Sequence, residues 1–552
     1  MRRGVSIHIV FLFTCLSLNI GSSESQELGN TTHKGELAPR LQNLGNHHHP
    51  ITVKKGMGQK FFDQGLMLAY GFNHREAARA FREVARLDPD AAMAYWGQAL
   101  VLGPNINAPM NPADESIAYE MVRKAMALRK KVTQQEAAYI EALAERYSGK
   151  EEDRNNRDKA YAAAMARLHA RYPDDLDAAT LYAESLMDLR PWNYWTKDGL
   201  PYEETREALR LLEMVRARNP NHPGANHFYI HAVELPYPKQ AEDAADRLAH
   251  IAPGAGHLVH MPSHIYRRIG RYKDATEANL RAIAADEDYI TQCRAQGIYP
   301  LAYYPHNIHF LWDAATMEGR KDLAVDAARK VGQRITSEML EEVPMLIMFK
   351  VIPLYAYVRF GMWDEILAEP APPVQQRFWT GIWHYAQGLA LLARGRMQEA
   401  SEALILLERT AADPAIDEEE FWTPNKPAAV IQVARYTLAG ELAARRGDYD
   451  QAIAHLHRAV LLQDGLEYIE PPDWHYPVRH SLGAVLLEAG RPLEAEVVYW
   501  DDLNNNPENG WSLFGLMQAL KAQGKTEGAE AAARRFEQAW ARADIKLTAS
   551  RF

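Results

Sequence analysis

One short motif recurs along this chain, and its clearest copy reads Gly490-Arg-Pro-Leu-Glu-Ala495. Tyr499 follows four residues after the alanine, and Pro507 follows twelve residues after it. The glycine and the alanine return 34 residues later, at Gly524 and Ala529. A fixed period of this length is typical of repeat proteins.

Further copies of the motif lie upstream. Gly483 stands twelve residues before Ala495, just as Gly65 stands twelve residues before Ala77. The other alanines with matching neighbours are Ala208, Ala241, Ala275, Ala324, Ala400 and Ala452. About eight units share the pattern, and two or three degenerate units fit within 92–189 and 340–375.

The spacing predicts a helical hairpin. Small residues at the glycine and alanine positions allow two antiparallel helices to approach closely. The glycine before each alanine ends the first helix, where a positive φ is needed. The proline ends the unit because it cannot continue a helix. Each hairpin buries its apolar stripe only against the next one, so the chain is expected to form a stacked all-α array.

This pattern resembles the tetratricopeptide repeat (TPR) family over most of residues 58–545. The resemblance implies an all-α, TPR-like helical-hairpin solenoid, wound as a right-handed superhelix. It also implies a concave groove, lined by the first helix of each hairpin, for a protein, peptide or small-molecule ligand. Residues 546–552 are then a C-terminal tail.

The first residues have the layout of a secretory signal peptide. Arg2 and Arg3 precede an apolar run that ends near Leu18, and small or polar residues follow. The run is too short to span a bilayer. We therefore expect residues 1–25 to be cleaved and the protein to be exported, periplasmic or secreted. Residues 26–57, which include three consecutive histidines from His47, are interpreted as a polar flexible lead-in.

Composition excludes several classes of protein. Apolar residues make up 47% and charged residues 24%, which is typical of a folded soluble chain. The net charge is −10 and there is no Lys/Arg-rich block, so nucleic acid is not expected as a partner. Two cysteines cannot form a disulfide framework or a Cys-rich metal site. No stretch beyond the N-terminus is apolar enough to be a transmembrane segment.

Histidine is concentrated in the central units. Nine of the 21 histidines fall in residues 222–313. Seven of them, with two nearby carboxylates, form three clusters: His227, His231 and Glu234; His257, His260 and His264; and His306, His309 and Asp313.

The spacing within these clusters predicts metal ligation. His227/His231 and His260/His264 are four residues apart, which places each pair on one helix face, where it can bind one ion. The second and third clusters occupy equivalent positions in successive units, positions that face the groove in the TPR family. Pro262 is expected to interrupt the helix between His260 and His264. Histidine and carboxylate without cysteine suit zinc, iron, manganese or copper(II).

Two segments are too long for hairpin turns: 191–199, which is rich in tryptophan, and 288–305, which is rich in tyrosine. Aromatic loops of this kind either border a functional site or cap exposed core.

Two functions remain open at this point. The first is an exported TPR-type binding protein whose His-lined groove holds a ligand or partner, either directly or through a divalent metal ion. The second is a metal-dependent enzyme with its His/carboxylate site in the groove of the central repeats. Histidines that bind an anion without metal, or that only pack in the core, are the alternatives to ligation.

Overall fold

The computed structural model describes residues 37–150, 154–293, 299–421 and 423–552. These residues contain helices and no strand, so the all-α prediction is confirmed; extended pairing is limited to isolated bridges such as Trp195 with Pro201. Among the described residues, no helix combines the length and the apolar character needed to cross a bilayer. The predicted signal peptide, residues 1–25, lies outside them.

The helices are numbered α1 to α27 in chain order. The first thirteen are α1 Gly56–Tyr70, α2 His74–Leu87, α3 Ala92–Leu100, α4 Glu115–Leu128, α5 Gln134–Ala144, α6 Arg154–Arg171, α7 Leu176–Met187, α8 Glu203–Arg218, α9 Pro223–Val233, α10 Glu242–Ile251, α11 Gly256–His260, α12 Pro262–Arg268 and α13 Tyr272–Cys293. The remainder are α14 Tyr304–Met317, α15 Lys321–Arg334, α16 Ser337–Glu342, α17 Ile347–Lys350, α18 Ile352–Arg359, α19 Trp363–Ala368, α20 Arg377–Ala393, α21 Met397–Ala412, α22 Pro427–Arg445, α23 Tyr449–Asp464, α24 Arg479–Glu488, α25 Pro492–Asn505, α26 Gly510–Ala522 and α27 Thr526–Ala539.

The chain forms two compact units. Unit 1 contains the described residues up to Ile265 together with Arg281–Tyr304, and unit 2 contains Tyr266–Leu280 and Pro305–Phe552. Within each unit, consecutive helices pack along their length as hairpins, for example α1 with α2 in unit 1, and α22 with α23 and α26 with α27 in unit 2. The helical-hairpin repeat predicted from the spacing is therefore the building element of both units.

The small residues of the motif have the roles that the spacing predicts. The glycine five residues before the motif alanine has a φ between 70° and 82° at Gly270, Gly319, Gly395, Gly447, Gly490 and Gly524. The alanines themselves are buried, with Ala495 at 0% exposure. At Gly483 and Gly515 an added Cβ would lie 2.4 and 2.1 Å from the Tyr499 side chain, so the helices meet too closely for any larger residue.

The two terminal segments differ from their sequence-based interpretation. In unit 1, the described part of the supposed flexible lead-in is packed: Ala38 and Leu41 are buried, and His49 is 8% exposed. In unit 2, Ser550 of the supposed tail is 1% exposed; its Oγ donates to the carbonyl oxygen of His480 and accepts from Tyr499 Oη at 2.7 Å. Both segments carry apolar or hydrogen-bonding side chains that fit partners far away in sequence, which local polarity does not show.

Candidate metal centre

The first two histidine clusters converge in unit 1. His227 and His231 lie on α9, and Glu234 is the first residue after that helix. His257 and His260 lie on α11, and His264 lies on α12, which begins at Pro262 as the break predicted there requires. All six side chains are buried, with exposures between 0% and 4%.

Three imidazoles form the tightest group, which we call the three-His set: His227, His231 and His257. One ring nitrogen of each lies within 4.8 Å of the others. The ring centre of His227 is 4.9 Å from that of His231 and 5.0 Å from that of His257. Nitrogens that bind one tetrahedral ion lie about 3.3 Å apart. A shift of about 1 Å per ring would therefore bring the three nitrogens to metal-binding distance.

The orientation of His227 is determined by the end of α1. Its Nδ1 lies 2.6 Å from the carbonyl oxygen of Tyr70, the last residue of that helix, so Nδ1 carries the proton and donates. Burial and the neighbouring His231 lower the pKa of His227 well below its usual range. Its Nε2 is therefore an acceptor, and it is buried without a hydrogen-bond partner among the described residues.

Glu234 contacts histidines of both clusters. Its Oε1 lies 3.4 Å from His231 Nδ1, and its Oε2 lies 3.2 Å from His264 Nδ1. Burial opposes ionisation of Glu234, but His264 and His231 outweigh it and lower the pKa to about 2. The ionised carboxylate accepts from Nδ1 of each ring, so the Nε2 lone pair of each ring points away from Glu234. Glu234 thus fixes the orientation of both imidazoles.

His260 and His264 form a second pair. Their Nε2 atoms are 3.0 Å apart, and His260 Nδ1 lies 3.3 Å from Ser263 Oγ. Two imidazole nitrogens at this distance either share a proton or bind a common ion. The four-residue spacing therefore brings these side chains together as predicted, even though Pro262 starts a new helix between them.

His257 is supported by buried residues, among them two tyrosines of the tyrosine-rich segment. Its backbone N–H donates to Tyr299 Oη at 3.1 Å, and Tyr299 donates to Asp286 at 2.8 Å. An added Cβ at Gly256 would lie 1.8 Å from Asp286 Oδ1, so only glycine fits there. The Tyr303 ring lies edge-on to the His257 ring at 4.8 Å. The tyrosine-rich segment thus borders the histidines.

Two further aromatic residues complete the surroundings. Trp192, from the tryptophan-rich segment, meets the His231 ring at 5.2 Å. The Phe72 ring lies 4.6 Å from that of His227 and 5.6 Å from that of His257. Phe72 has a φ of 54° and stands five residues before Ala77, where six other hairpins have glycine. The phenylalanine in place of glycine is the one feature of the sequence that could have singled out Phe72.

The third cluster belongs to unit 2, where Asp313 and His309 make contacts other than the ligation expected of them. Asp313 accepts a hydrogen bond from Arg267 Nε at 2.9 Å. The His309 ring stacks on Trp312 at 5.4 Å, and burial lowers its pKa to about 3. The ring of His306, which is half-buried, lies edge-on to Phe310 at 5.1 Å. The ion pair and the aromatic stacking correct the ligand assignment of Asp313 and His309.

A second His/carboxylate group in unit 1 surrounds Asp177. Its carboxylate lies 2.9 Å from His47 Nε2, 2.8 Å from His49 Nδ1, 2.6 Å from Tyr70 Oη and 3.2 Å from His222 Nε2. His222 Nδ1 accepts from the backbone N–H of Ala225, so the neutral ring carries its proton on Nε2. That nitrogen donates to Asp177, so the carboxylate connects His47, His49 and His222 as a hydrogen-bonded anchor.

Comparison with known proteins adds little to this geometry. No family model matches the chain, and no curated protein sequence matches it. Structural similarity extends to a human IFIT1 dimer with m7Gppp-AAAA, at 13% identity over 90% of this chain and 92% of that one, with a TM-score of 0.28. It also extends to the APC/C hetero-tetramer Cut9-Hcn1, at 14% identity over 88% and 79%, with a TM-score of 0.31.

A third similar structure is the P58(IPK) TPR domain, at 12% identity over 85% of this chain and 99% of that one, with a TM-score of 0.22. Scores this low carry no argument about ligand or function. The chain's own hairpins define an all-α helical-repeat fold, which is TPR-like.

Proposed function

We propose that this protein is a metal-binding helical-repeat protein that holds one divalent transition-metal ion at His227, His231 and His257. Glu234 would not bind the metal itself, and would hold the His231 ring in orientation through its Nδ1 atom. The observation that carries the proposal is the Nε2 atom of His227, an acceptor that is buried without a hydrogen-bond partner among the described residues.

A buried acceptor of this kind is costly unless something occupies it. Leaving a polar atom unsatisfied in the interior costs about 1–3 kcal/mol. In His227 the hydrogen bond from Nδ1 to the Tyr70 carbonyl oxygen fixes the tautomer, so Nε2 can act only as an acceptor or a metal ligand. Metal-binding histidines are typically held in this way, with the second ring nitrogen donating to a carbonyl or carboxylate. His231, whose Nδ1 faces Glu234, has the same arrangement.

The donor set favours some metals over others. Three imidazoles suit zinc, copper(II) and iron, whereas manganese is favoured by sites rich in carboxylates. We therefore place manganese last among the four metals that the sequence allows.

The test is a metal titration of the purified, metal-stripped chain. Zinc and copper(II) should each bind at one site per chain, and the double substitution His227→Ala/His231→Ala should abolish that binding. His455→Ala/His457→Ala is the matched control, because it removes two histidines of unit 2 that are half-buried and exposed. Equal metal uptake by both double variants would contradict the proposal, provided that helicity is retained.

A metal-dependent enzyme is the second candidate. Three histidine ligands leave a fourth position for water or substrate, as in catalytic zinc sites. Loading with cobalt(II) distinguishes the two, since its absorption spectrum reports coordination number. A spectrum that changes on adding azide, which binds an open position, would support the enzyme, and an unchanged spectrum would support binding alone.

Export is part of the proposal. Residues 1–25 would direct the chain out of the cytoplasm. The metal site would then bind its ligand or partner outside the cytoplasm.

A further inference from the structure

Unit 2 contains a cavity of about 500 Å³ that has no part in the proposed metal centre. Val358, Leu389 and Leu392 supply apolar lining, and Arg359 and Ser481 supply polar lining. Small-molecule sites typically measure about 300–1,000 Å³ and combine apolar walls with a few polar groups that orient the ligand. The cavity has the size and the mixed lining of such a site.

Arg359, the last residue of α18, is the unusual member of this lining. Its side chain is buried, and its guanidinium carbon lies 3.4 Å from the ring centre of Trp511. Nη2 donates to His480 Nδ1 at 2.8 Å, and Nη1 lies 3.5 Å from the carbonyl oxygen of Ser550. Nε is buried without a hydrogen-bond partner among the described residues. Burial lowers the pKa of Arg359, but a guanidinium keeps its charge in proteins.

The charge of Arg359 lacks a direct counter-ion. In the part of unit 2 that the structure describes, its guanidinium contacts an imidazole and a carbonyl and forms no ion pair with a carboxylate. His480 accepts from Arg359 at Nδ1, so it is neutral and donates from Nε2 to Asp502 at 2.9 Å. Asp502 therefore faces the imidazole and not the guanidinium. A buried charge without an adjacent opposite charge is costly.

The other charged groups of the lining form no ion pair with Arg359 among the described residues. Arg551 lies 3.1 Å from Glu441 and 3.0 Å from Glu488, so those carboxylates are occupied by one arginine. Arg445 is exposed. The unpaired charge of Arg359 is therefore one that a single negative charge on a ligand would balance.

We propose that this cavity binds an amphiphilic organic monoanion, a carboxylate attached to an apolar chain. The carboxylate would lie on the side of Arg359 and Ser481, and the chain would lie against Leu389 and Leu392. Arginine suits this role because its planar donors match the two oxygens of a carboxylate. The inference is independent of the metal centre, because every residue that carries it belongs to unit 2.

The test compares three probes with the same apolar chain: octanoate, octanol and octylammonium. Isothermal titration of the purified chain should show octanoate binding at least about tenfold more tightly than either of the others, because only its charge complements Arg359. Equal affinity for all three would overturn the proposal, and so would the absence of octanoate binding. This comparison needs no variant, so it remains decisive if substitutions at Arg359 prevent folding.

Two variants locate the site. Arg359→Met keeps the length of the side chain and removes its charge, so octanoate affinity should fall to that of octanol. Leu389→Trp fills the apolar side and should weaken octanoate binding by at least about tenfold while metal uptake stays unchanged. If octanoate binds both folded variants as tightly as it binds the parent chain, the ligand lies elsewhere and the proposal is wrong.

Discussion

Glu234 Oε2 lies 3.2 Å from His264 Nδ1, although Glu234 follows α9 and His264 lies on α12. The same carboxylate lies 3.4 Å from His231 Nδ1 through its other oxygen. One buried acid therefore sets the orientation of two imidazoles, one from each histidine cluster of unit 1. If a metal binds here, the acid acts on it through the histidines.

Glu234→Gln tests that role. The substitution keeps the shape of the side chain but replaces one acceptor oxygen by an amide group that donates. We expect metal affinity to fall about 10–100-fold, the usual effect of losing a residue that orients metal ligands. Competition with a chelator of known affinity measures the change, and circular dichroism checks that helicity is intact. Unchanged affinity in a folded variant would exclude an orienting role.

Ala495→Leu tests the repeat frame in unit 2. Ala495 is fully buried on α25, which packs against α24 and α26, so a larger side chain overfills that packing. We expect the free energy of unfolding to fall by about 1–3 kcal/mol. Leu493→Ala is the control, because Leu493 is 61% exposed and its loss should cost no more than about 0.5 kcal/mol. Equal stabilities of the two variants would show that Ala495 is not at a close helix contact.

Asp177→Asn tests the anchor of residues 47–49 in unit 1. Burial opposes the charge of Asp177, but the hydrogen bonds from His222 and His47 hold its pKa well below 3.8, so its contribution to stability is lost as the pH falls through that lowered value. Burial also opposes the charge of His49, yet Asp177 raises its pKa above 6.5, so that contribution is lost as the pH rises through the raised value.

Both contributions are therefore present between about pH 4 and pH 6.5. In that window we expect Asp177→Asn to destabilise the chain by about 3–5 kcal/mol, as when one partner of a buried ion pair is removed. The difference from the parent chain should narrow on either side of the window. Denaturant unfolding across the pH range measures the difference in the free energy of unfolding between the variant and the parent chain. A difference that is the same at every pH would show that the carboxylate charge is not involved.

Removal of residues 1–25 tests export. The truncated chain should remain in the cytoplasm of its own host, whereas the full chain should be found outside it in a shortened form. Fractionation with mass spectrometry of the N-terminus measures both. A full-length chain that stays cytoplasmic and uncut would refute the signal peptide.

The repeat architecture was readable from the sequence because its signals are local. A glycine such as Gly490 marks a positive φ, and an alanine such as Ala495 marks a close helix contact, each within one hairpin. The same holds for His227/His231 and His260/His264, whose four-residue spacing is enough to bring each pair together.

The surroundings of those pairs depend on residues far apart in the chain. The carbonyl oxygen of Tyr70 orients His227 across 157 residues, and Asp177 holds His47 across 130. Arg267 engages Asp313 across 46 residues, which removes a carboxylate that the spacing offered as a ligand. The hairpin period of the sequence specifies which helix face a side chain occupies, and only the packing of distant helices decides which polar group meets it there.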